Sequence, residues 1–244
     1  MTSVFFDLVG TLIGARGSIG TQYAQVAARF GITAAPDALD RVFGQVLSRF
    51  PAFALPDPAD PDLAGREKEA WRAIVGAVFD GAGYGFVRES ASFGAYFEAL
   101  FTHFATRDAW TAFPDVQPAL DRLRRAGHRL GLISNFDSRV FPLLDQLGLA
   151  ASFTSVTIPA FAGGAKPQPA IFRHALDAHA VAPADAVYVG DSLTEDVIPA
   201  RDAGMTAILI DRDGRGSATP GEVRVRSLEE LDGLLKPADV RTPR

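Results

Sequence analysis

Three acidic side chains have the clearest chemical potential, because they stand where apolar runs of the chain end. The run Ser3–Phe6 leads into Asp7, and the run Ala186–Val189 leads through a glycine into Asp191 and, five residues later, Asp196. Open α/β sheets bind ligands at the carboxyl ends of their strands, so we expect these sites to converge. Carboxylate oxygens are the ligands that divalent cations such as Mg²⁺ prefer. The pattern therefore predicts a divalent-cation site beside Asp7.

Two polar side chains stand in loops that could reach the same place. Ser134 follows the apolar pair Leu132-Ile133, and Lys166 follows two glycines and an alanine. Ser134 and Lys166 are thus predicted near a strand end or in the loop beyond it, as Asp7 and Asp191 are. A hydroxyl and an ammonium group beside carboxylates could bind an anionic substrate.

From about residue 108 onward, short apolar segments alternate with amphipathic ones. Strand, helix and strand repeated in this way predict a parallel sheet that is covered by helices on both faces, which is a Rossmann-like, doubly wound α/β fold. The region between residues 212 and 226 is rich in glycine and is predicted as a loop. The predicted strands span 129–133, 154–158, 186–190 and 207–210, and the predicted helices span 118–126, 140–147, 170–179, 194–203 and 228–235.

Residues 15–107 have a different pattern, with helical spacing throughout and no convincing strand. We interpret them as an all-helical cap domain inserted into a core domain made of residues 1–14 and 108–244. The insertion follows the first strand, so the cap is expected to lie above Asp7. The segment from Pro51 to Pro61 contains four prolines and is predicted as a loop. The predicted cap helices span 20–30, 36–50, 65–79 and 90–105.

The composition narrows the classes of function. The chain has 244 residues, 48% of them hydrophobic, so it can bury a sizeable core, and its net charge of −5 is spread without blocks. That charge predicts no nucleic-acid or membrane partner. The absence of cysteine excludes disulfides, thiolate metal sites and thiol nucleophiles. No apolar stretch approaches the ~20 residues of a membrane span, so a cytoplasmic location is expected. Oligomeric state is not predicted.

The order of these motifs resembles the haloacid dehalogenase-like hydrolase superfamily. In that family an Asp nucleophile, a Ser or Thr, a Lys and an acidic pair follow one another on a Rossmann-like core with a mobile cap. The segment around Trp71 further resembles the domain-containing protein 3 branch of the family. The motifs that carry the family resemblance are the turn Asp7–Leu12, Ile133-Ser134-Asn135-Phe136-Asp137, Lys166-Pro167 followed by Ile171-Phe172, and Gly190-Asp191 through Asp196 to Ala203-Gly204-Met205.

The resemblance implies a Mg²⁺-dependent phosphatase that acts on a small phosphorylated molecule. Asp7 would accept the phosphoryl group as an aspartyl-phosphate, which water then hydrolyses. Positive and hydrogen-bonding partners must meet the charge on the transferring group. The implied phosphate contacts are Ser134, Asn135, Lys166 and Thr11. The implied metal ligands are the Asp7 carboxylate, the Val9 carbonyl and Asp191, with Asp196 in support.

Val9 departs from the family pattern. Phosphatases of the family usually carry a second Asp two residues after the nucleophile, where it acts as general acid and base. General acid–base catalysis is commonly worth ~10²–10⁴ in rate, so Val9 predicts weak hydrolysis of ordinary phosphomonoesters. A good leaving group could bypass the deficit, or another base such as Glu195 or a cap residue could replace the Asp. The metal site need not suffer, because position 9 supplies only a backbone carbonyl.

Three alternatives stay open at this stage. The dehalogenase branch of the family lacks the second Asp, but it typically carries Tyr at that position and lacks the acidic pair that this chain retains. The phosphonatase branch has a small residue there and a cap lysine that forms a Schiff base, for which Lys68 is the candidate. Lys68 stands between two glutamates, which is typical of a solvated helix face. The third alternative is a catalytically retired protein that binds phosphorylated ligands.

Overall fold

A computed structural model describes residues 2–48, 61–214 and 223–235. In chain order the strands are β1 (Ser3–Phe6), β2 (Ile13–Ala15), β3 (Trp110–Ala112), β4 (Arg129–Ile133), β5 (Ser155–Thr157), β6 (Ala186–Gly190), β7 (Thr206–Ile210) and β8 (Val223–Val225). The α-helices are α1 (Ile19–Ala28), α2 (Pro36–Leu47), α3 (Leu63–Gly81), α4 (Phe86–Glu89), α5 (Phe93–His103), α6 (Val116–Arg125), α7 (Val140–Leu147), α8 (Pro159–Ala162), α9 (Pro169–Ala178) and α10 (Ile198–Asp202).

The six strands β5, β4, β1, β6, β7 and β8 form one parallel sheet in that order. Strand β1 lies in the middle, and its last residue, Phe6, is in register with Leu132 of β4 and Val189 of β6. The chain runs from β1 outward through β4 to β5 and then returns to the other side at β6, so the strand order reverses beside β1. Ligand sites of open α/β sheets lie at such a reversal. The predicted doubly wound fold is confirmed.

Both faces of the sheet are buried, which explains why its strands are almost wholly apolar. Val4 and Phe6 pack on one face with α6 and α7, whereas Phe5 packs on the other with α9 and α10. All four residues of β1 are buried. This packing on two sides holds the carboxyl end of β1 in a rigid position.

The helices α1 to α5 surround a hydrophobic cluster of their own, built on residues such as Tyr23, Phe79 and Phe97. They are joined to the sheet through β2 and β3, which pair antiparallel with Ile13 opposite Ala112. That strand pair was not predicted. The separate clusters support a division into core and cap, although the boundaries at residues 15 and 107 stay a prediction. Among the residues that the structure describes, no helix has the length and apolar character needed to cross a membrane.

Other differences from the predicted elements are local. A loop was predicted across 212–226, but the last part of this region is a strand, because Val223–Val225 pairs with β7 as β8. The helix predicted at 194–203 begins as a wider π-type turn at Leu193–Val197 before α10, and the helix predicted near 228 is a 3₁₀ segment, Leu228–Gly233. Of the predicted proline-rich loop, all but Pro61 lies outside the described residues.

The buried imidazole of His179, at the end of α9, joins three parts of the core. Its Nδ1 lies 3.0 Å from Ser3 Oγ and its Nε2 lies 2.9 Å from Ser155 Oγ, while Arg129 donates to its carbonyl at 2.7 Å. Burial, with the nearby charge of Arg129, lowers the pKa of His179 from 6.5 to about 4.

We predict that His179 makes the fold sensitive to acid. Between about pH 6.5 and pH 4 only the unfolded chain binds a proton at His179, so the free energy of unfolding falls as pH is lowered through that window, by about 2–3 kcal/mol. Urea unfolding of His179→Gln at several pH values should show a smaller fall than the wild type. The exposed His174 on the same helix supplies the control, His174→Gln. An identical fall in the wild type and His179→Gln would contradict the assignment.

Candidate active site

Asp7 is the first residue beyond the central strand. Its backbone N–H donates to the Val189 carbonyl at 2.9 Å, which extends the pairing of β1 and β6 by one residue. The residue is only 5% exposed. A carboxylate in this position has almost no freedom, because the sheet holds its backbone on both sides.

Lys166 reaches Asp7 from the loop between α8 and α9. Its buried Nζ donates to Asp7 Oδ1 at 2.5 Å and to Asp196 Oδ1 at 2.6 Å. Asn135 fixes this loop, because its side-chain amide donates to the Lys166 carbonyl at 3.0 Å and accepts from the Lys166 N–H at 2.8 Å. The Asn135 side chain therefore orients the lysine through its backbone, a role that the sequence did not reveal.

Tyr188 belongs to the same hydrogen-bond network and was missed in the sequence. Its hydroxyl donates to Asp196 Oδ1 at 2.7 Å and accepts from Lys166 Nζ at 3.2 Å. A tyrosine in a buried strand is usually taken as core. The usable signal is that a fully buried tyrosine hydroxyl needs a polar partner, and Tyr188 is three residues before Asp191.

The three predicted acidic residues do converge. One carboxylate oxygen from each of Asp7, Asp191 and Asp196 lies within 4.8 Å of the others. Two glycines make room for them: a Cβ on Gly10, whose φ is +90°, would lie 2.2 Å from Asp191 Oδ2, and a Cβ on Gly190 would lie 2.4 Å from Asp196 Cγ. Any side chain at either position would displace a carboxylate.

The three carboxylates of this cluster carry more negative charge than Lys166 alone can neutralise. Burial raises the pKa of Asp7 to about 7, and the charges of Asp196 and Asp191 add to the rise while Lys166 opposes it. Partial burial, with the charge of Asp196, raises the pKa of Asp191 to about 6. For Lys166, burial would lower the pKa, but the neighbouring carboxylates outweigh it and the pKa is raised. Three carboxylates that offer oxygen ligands, with one lysine between them, fit a divalent cation such as Mg²⁺.

The other predicted site residues lie near this cluster, with one exception. Ser134 is buried at the end of β4, where its Oγ accepts from the Phe136 N–H at 3.2 Å, and it lines the same cavity as Asp7. Val9 also lines that cavity and is 40% exposed. Thr11 is fully buried and is not among the described residues that line the cavity; its carbonyl accepts from Arg212. Its role in phosphate binding stays a prediction.

The cavity has a volume of about 680 Å³ and lies between the sheet and the inserted helices. The carboxyl ends of the strands form its floor, with the acidic cluster and Lys166. Residues of α1, α2, α3 and α5 form the opposite wall, which we call the roof. A cavity of this size is typical of small-molecule sites.

A set of contacts joins the roof to the loop after β4. Glu67 of α3 accepts from the Ser138 N–H, with both carboxylate oxygens at 3.1 Å, and from the Ser138 hydroxyl. Trp71 Nε1 donates to Asp137 Oδ2, and Asp137 forms an ion pair with Arg139 at 2.5 Å. Burial raises the pKa of Glu67, and the Ser138 hydrogen bonds oppose that rise. The contacts of Glu67 and Trp71 with this loop were not predicted, because their partners lie about 70 residues away in the chain.

Lys68 does not reach the site. Its Nζ forms an ion pair with Glu98 at 2.6 Å, and Lys68 is not among the described residues that line the cavity. The solvated helix face that its sequence context indicated fits this position. The structure therefore offers no support for a Schiff-base lysine in the cap.

Together, the fold, the four ordered motifs and the acidic cluster define a hydrolase of the haloacid dehalogenase-like class. Residues 1–204 match the family described as haloacid dehalogenase-like hydrolase, and the chain belongs to that family.

Among curated proteins, the chain is 29% identical to haloacid dehalogenase-like hydrolase domain-containing protein 3 of Danio rerio, over 96% of both chains. It is 37% identical to a phosphoserine phosphatase of Thermus thermophilus, over 52% of this chain and 53% of that protein. Among solved structures, a phosphatase of the family from Thermococcus onnurineus superposes with a TM-score of 0.68 at 26% identity, covering 98% of this chain and all of the other. The predicted resemblance to the domain-containing protein 3 branch is confirmed.

We predict that Glu67 stabilises the folded protein through Ser138. Glu67→Ala leaves the Ser138 N–H and hydroxyl without their acceptor, which should lower the free energy of unfolding by about 1–3 kcal/mol. Glu69→Ala, on the exposed side of the same helix, should change it by less than about 0.5 kcal/mol. Urea unfolding of both variants measures the difference, and equal stabilities would contradict a structural role for the Glu67 contact.

Proposed function

We propose that this hydrolase is a Mg²⁺-dependent phosphatase that acts on a small phosphorylated molecule through an aspartyl-phosphate on Asp7. The observation that carries this proposal is the buried Asp7 carboxylate at the floor of the cavity, in contact with Lys166 Nζ at 2.5 Å and beside Asp191 and Asp196. The phosphatases among the relatives support it. The substrate of a relative belongs to that relative, so the identity of the phosphorylated molecule is a separate question.

The residues of the floor have distinct tasks in this proposal. One Asp7 oxygen attacks phosphorus while Lys166 and the Ser134 hydroxyl hold the phosphoryl oxygens, which become more negative during transfer. Asn135 keeps Lys166 in place through its backbone. Asp7, the Val9 carbonyl and Asp191, with Asp196 in support, would hold Mg²⁺, which would neutralise charge between the carboxylate and the phosphate. Water then cleaves the phosphorus–oxygen bond to Asp7 and releases phosphate.

Val9 limits which leaving groups depart easily. The side chain is exposed to the cavity and has no proton to give, so the oxygen that leaves in the first step departs as an anion. Glu195 is the carboxylate of the described cavity lining that stands outside the acidic cluster, and it is exposed to solvent. We assign to Glu195 the role of base for the attacking water in the second step. Cytoplasmic location and the absence of nucleic-acid and membrane partners stay predictions.

The alternatives have less support. A haloacid dehalogenase has no use for an acidic pair at the metal position, yet Asp191 and Asp196 are both in the cluster with Asp7. The likeness to solved dehalogenases such as that of Xanthobacter autotrophicus, at 18% identity and a TM-score of 0.70, concerns the fold alone. The phosphonatase reaction lacks its lysine, as the Lys68–Glu98 pair indicates. A retired binding protein would bind phosphate esters without releasing phosphate.

We predict that Asp7→Asn abolishes phosphate release from an aryl phosphate and from an acyl phosphate, by at least about 10³-fold. Both compounds have leaving groups that depart without a proton, so the lack of a general acid at Val9 should not prevent their hydrolysis. Turnover in the wild type should require Mg²⁺ and be lost with a chelator. Asp177→Asn, a matched change at an exposed position of α9, should keep full activity. Activity retained by Asp7→Asn would place the nucleophile elsewhere, and no turnover in the wild type would favour the binding protein.

We predict that Val9→Asp raises the hydrolysis of alkyl phosphates by about tenfold or more, because it restores a proton donor for a poor leaving group. Aryl phosphates should gain much less, since their leaving oxygen needs no proton. Val9→Asn has nearly the same shape without an acid and is the control. Equal gains in Val9→Asp and Val9→Asn would contradict the general-acid explanation.

A further inference from the structure

The roof of the cavity is made of hydrocarbon and aromatic side chains. Among the described residues its polar groups are the hydroxyls of Tyr23 and Ser48 and the Trp71 indole N–H, which already donates to Asp137. Within the described residues, the charged groups that line the cavity lie at the floor, apart from Arg139. The main roof residues are Tyr23, Phe43, Leu47, Trp71, Phe97 and Phe101.

Arg139 is not available to bind a second anion. Its Nε and Nη2 donate to the two carboxylate oxygens of Asp137 at 2.8 and 2.5 Å, and its Nη1 donates to the Phe101 carbonyl at 2.9 Å. The guanidinium also lies 3.8 Å from the centre of the Phe101 ring. A charge that is paired, hydrogen-bonded and stacked in this way acts as part of the wall.

We propose that the substrate is the phosphate ester of an uncharged phenol, with the phosphate on the floor and the aromatic ring against the roof. This inference rests on the proposed phosphatase function and names its substrate class. Two independent features support it. Burial of apolar surface against the roof is favourable, and the described roof residues offer a carboxylate or ammonium group no charged partner, only the hydroxyls of Tyr23 and Ser48. Val9 provides no proton, and an aryl oxygen is the ester oxygen that leaves well without one.

The reaction balances without a further reagent. An Asp7 oxygen forms a bond to phosphorus as the bond from phosphorus to the aryl oxygen breaks, and the aryloxide departs with the electron pair. Water then attacks phosphorus, and the bond to Asp7 breaks, which restores the carboxylate and yields inorganic phosphate. The proton that water loses passes to Glu195 and from it to solvent, from which the aryloxide takes one.

The proposed substrate class differs from phosphoserine, the substrate named for the Thermus thermophilus relative. Phosphoserine carries an ammonium and a carboxylate group beside its phosphate, and both would lose their water against Phe97 and Phe101 without gaining a partner. Burying an unpaired charge is far more costly than burying a ring. We therefore expect phosphoserine to be a poor substrate of this chain, whatever the metal.

Two aryl phosphates with equally reactive leaving groups test whether the roof favours an uncharged substituent. A difference in rate between them cannot come from the reactivity of the bond that breaks. In 4-propylphenyl phosphate and 4-(2-carboxyethyl)phenyl phosphate the substituent is insulated from the aryl oxygen by methylene groups, so the two esters are equally reactive. With Mg²⁺ present, kcat/KM for phosphate release should be at least about tenfold higher for the propyl ester. Equal values, or a preference for the carboxyethyl ester, would overturn the proposal that the aryl group is uncharged, while the phosphatase function stands. No phosphate from either ester would overturn both.

A charge placed on the roof should change this preference. Leu47 is 38% exposed at the edge of the roof, so Leu47→Lys is expected to fold, which a thermal unfolding curve verifies. It should lower the propyl-to-carboxyethyl ratio of kcat/KM by about threefold or more, because the new ammonium group attracts the carboxylate. Phe86→Lys is the matched control, at a residue that is 62% exposed and not among the described residues of the cavity lining; it should leave the ratio unchanged. An unchanged ratio in Leu47→Lys would overturn the placement of the aromatic group against this wall.

Discussion

Crowding of like charge at the end of the central strand is the constraint on which the structure depends. Asp7, Asp191 and Asp196 would repel one another in water, and here they are held within 4.8 Å. Lys166 contacts Asp7 and Asp196, so one carboxylate, that of Asp191, has no such ion pair in the described structure. Folding must supply the free energy that keeps these groups together, and the buried parallel sheet supplies it through packing on both faces. The result is a site whose unsatisfied charge favours a cation.

The core carries the residues with proposed chemical roles, and the inserted helices form the apolar wall opposite them. Every side chain with a proposed chemical role stands on the sheet side. Asp7 and Ser134 directly follow paired strands, and the Asn135 side chain holds the loop that carries Lys166. The roof contributes shape and apolar surface. Glu67 and Trp71, both on α3, accept from and donate to residues of the loop that follows β4. Because that loop also carries Ser134 and Asn135, the position of the roof is linked to residues for which a phosphate contact is proposed. Under the proposed function, changes in the roof would alter substrate choice without moving Asp7.

The sequence predicted the parts of the molecule that depend on long or repeated local patterns. The bounds of β4, β6 and α7 agree with prediction because each is an apolar or amphipathic segment of at least five residues. Strands β2, β3 and β8 are three residues long and were not predicted, because none of them stands in a longer apolar segment. Strand β5 is equally short, but it lies in the longer segment 154–158 that was predicted as a strand. The convergence of the acidic residues followed from topology, since parallel strands end at one edge. Tyr188 was missed because a tyrosine in an apolar strand is usually read as core, although its position shortly before Asp191 was a usable signal. The Glu67–Ser138 contact could not be predicted, because a glutamate on a polar helix looks ordinary until the fold brings its partner close.

The two outermost strands of the sheet have a consequence for association between molecules. Each end of the sheet is occupied by a strand of only three residues, β5 on one side and β8 on the other. A short edge gives a neighbouring chain few free backbone groups with which to extend the sheet, which is how many proteins avoid aggregation. Behind β8 lies β7, five residues long and almost wholly apolar. Strand β8 thus covers the edge of β7, and loss of β8 would leave a five-residue apolar strand open to pairing with a neighbouring chain.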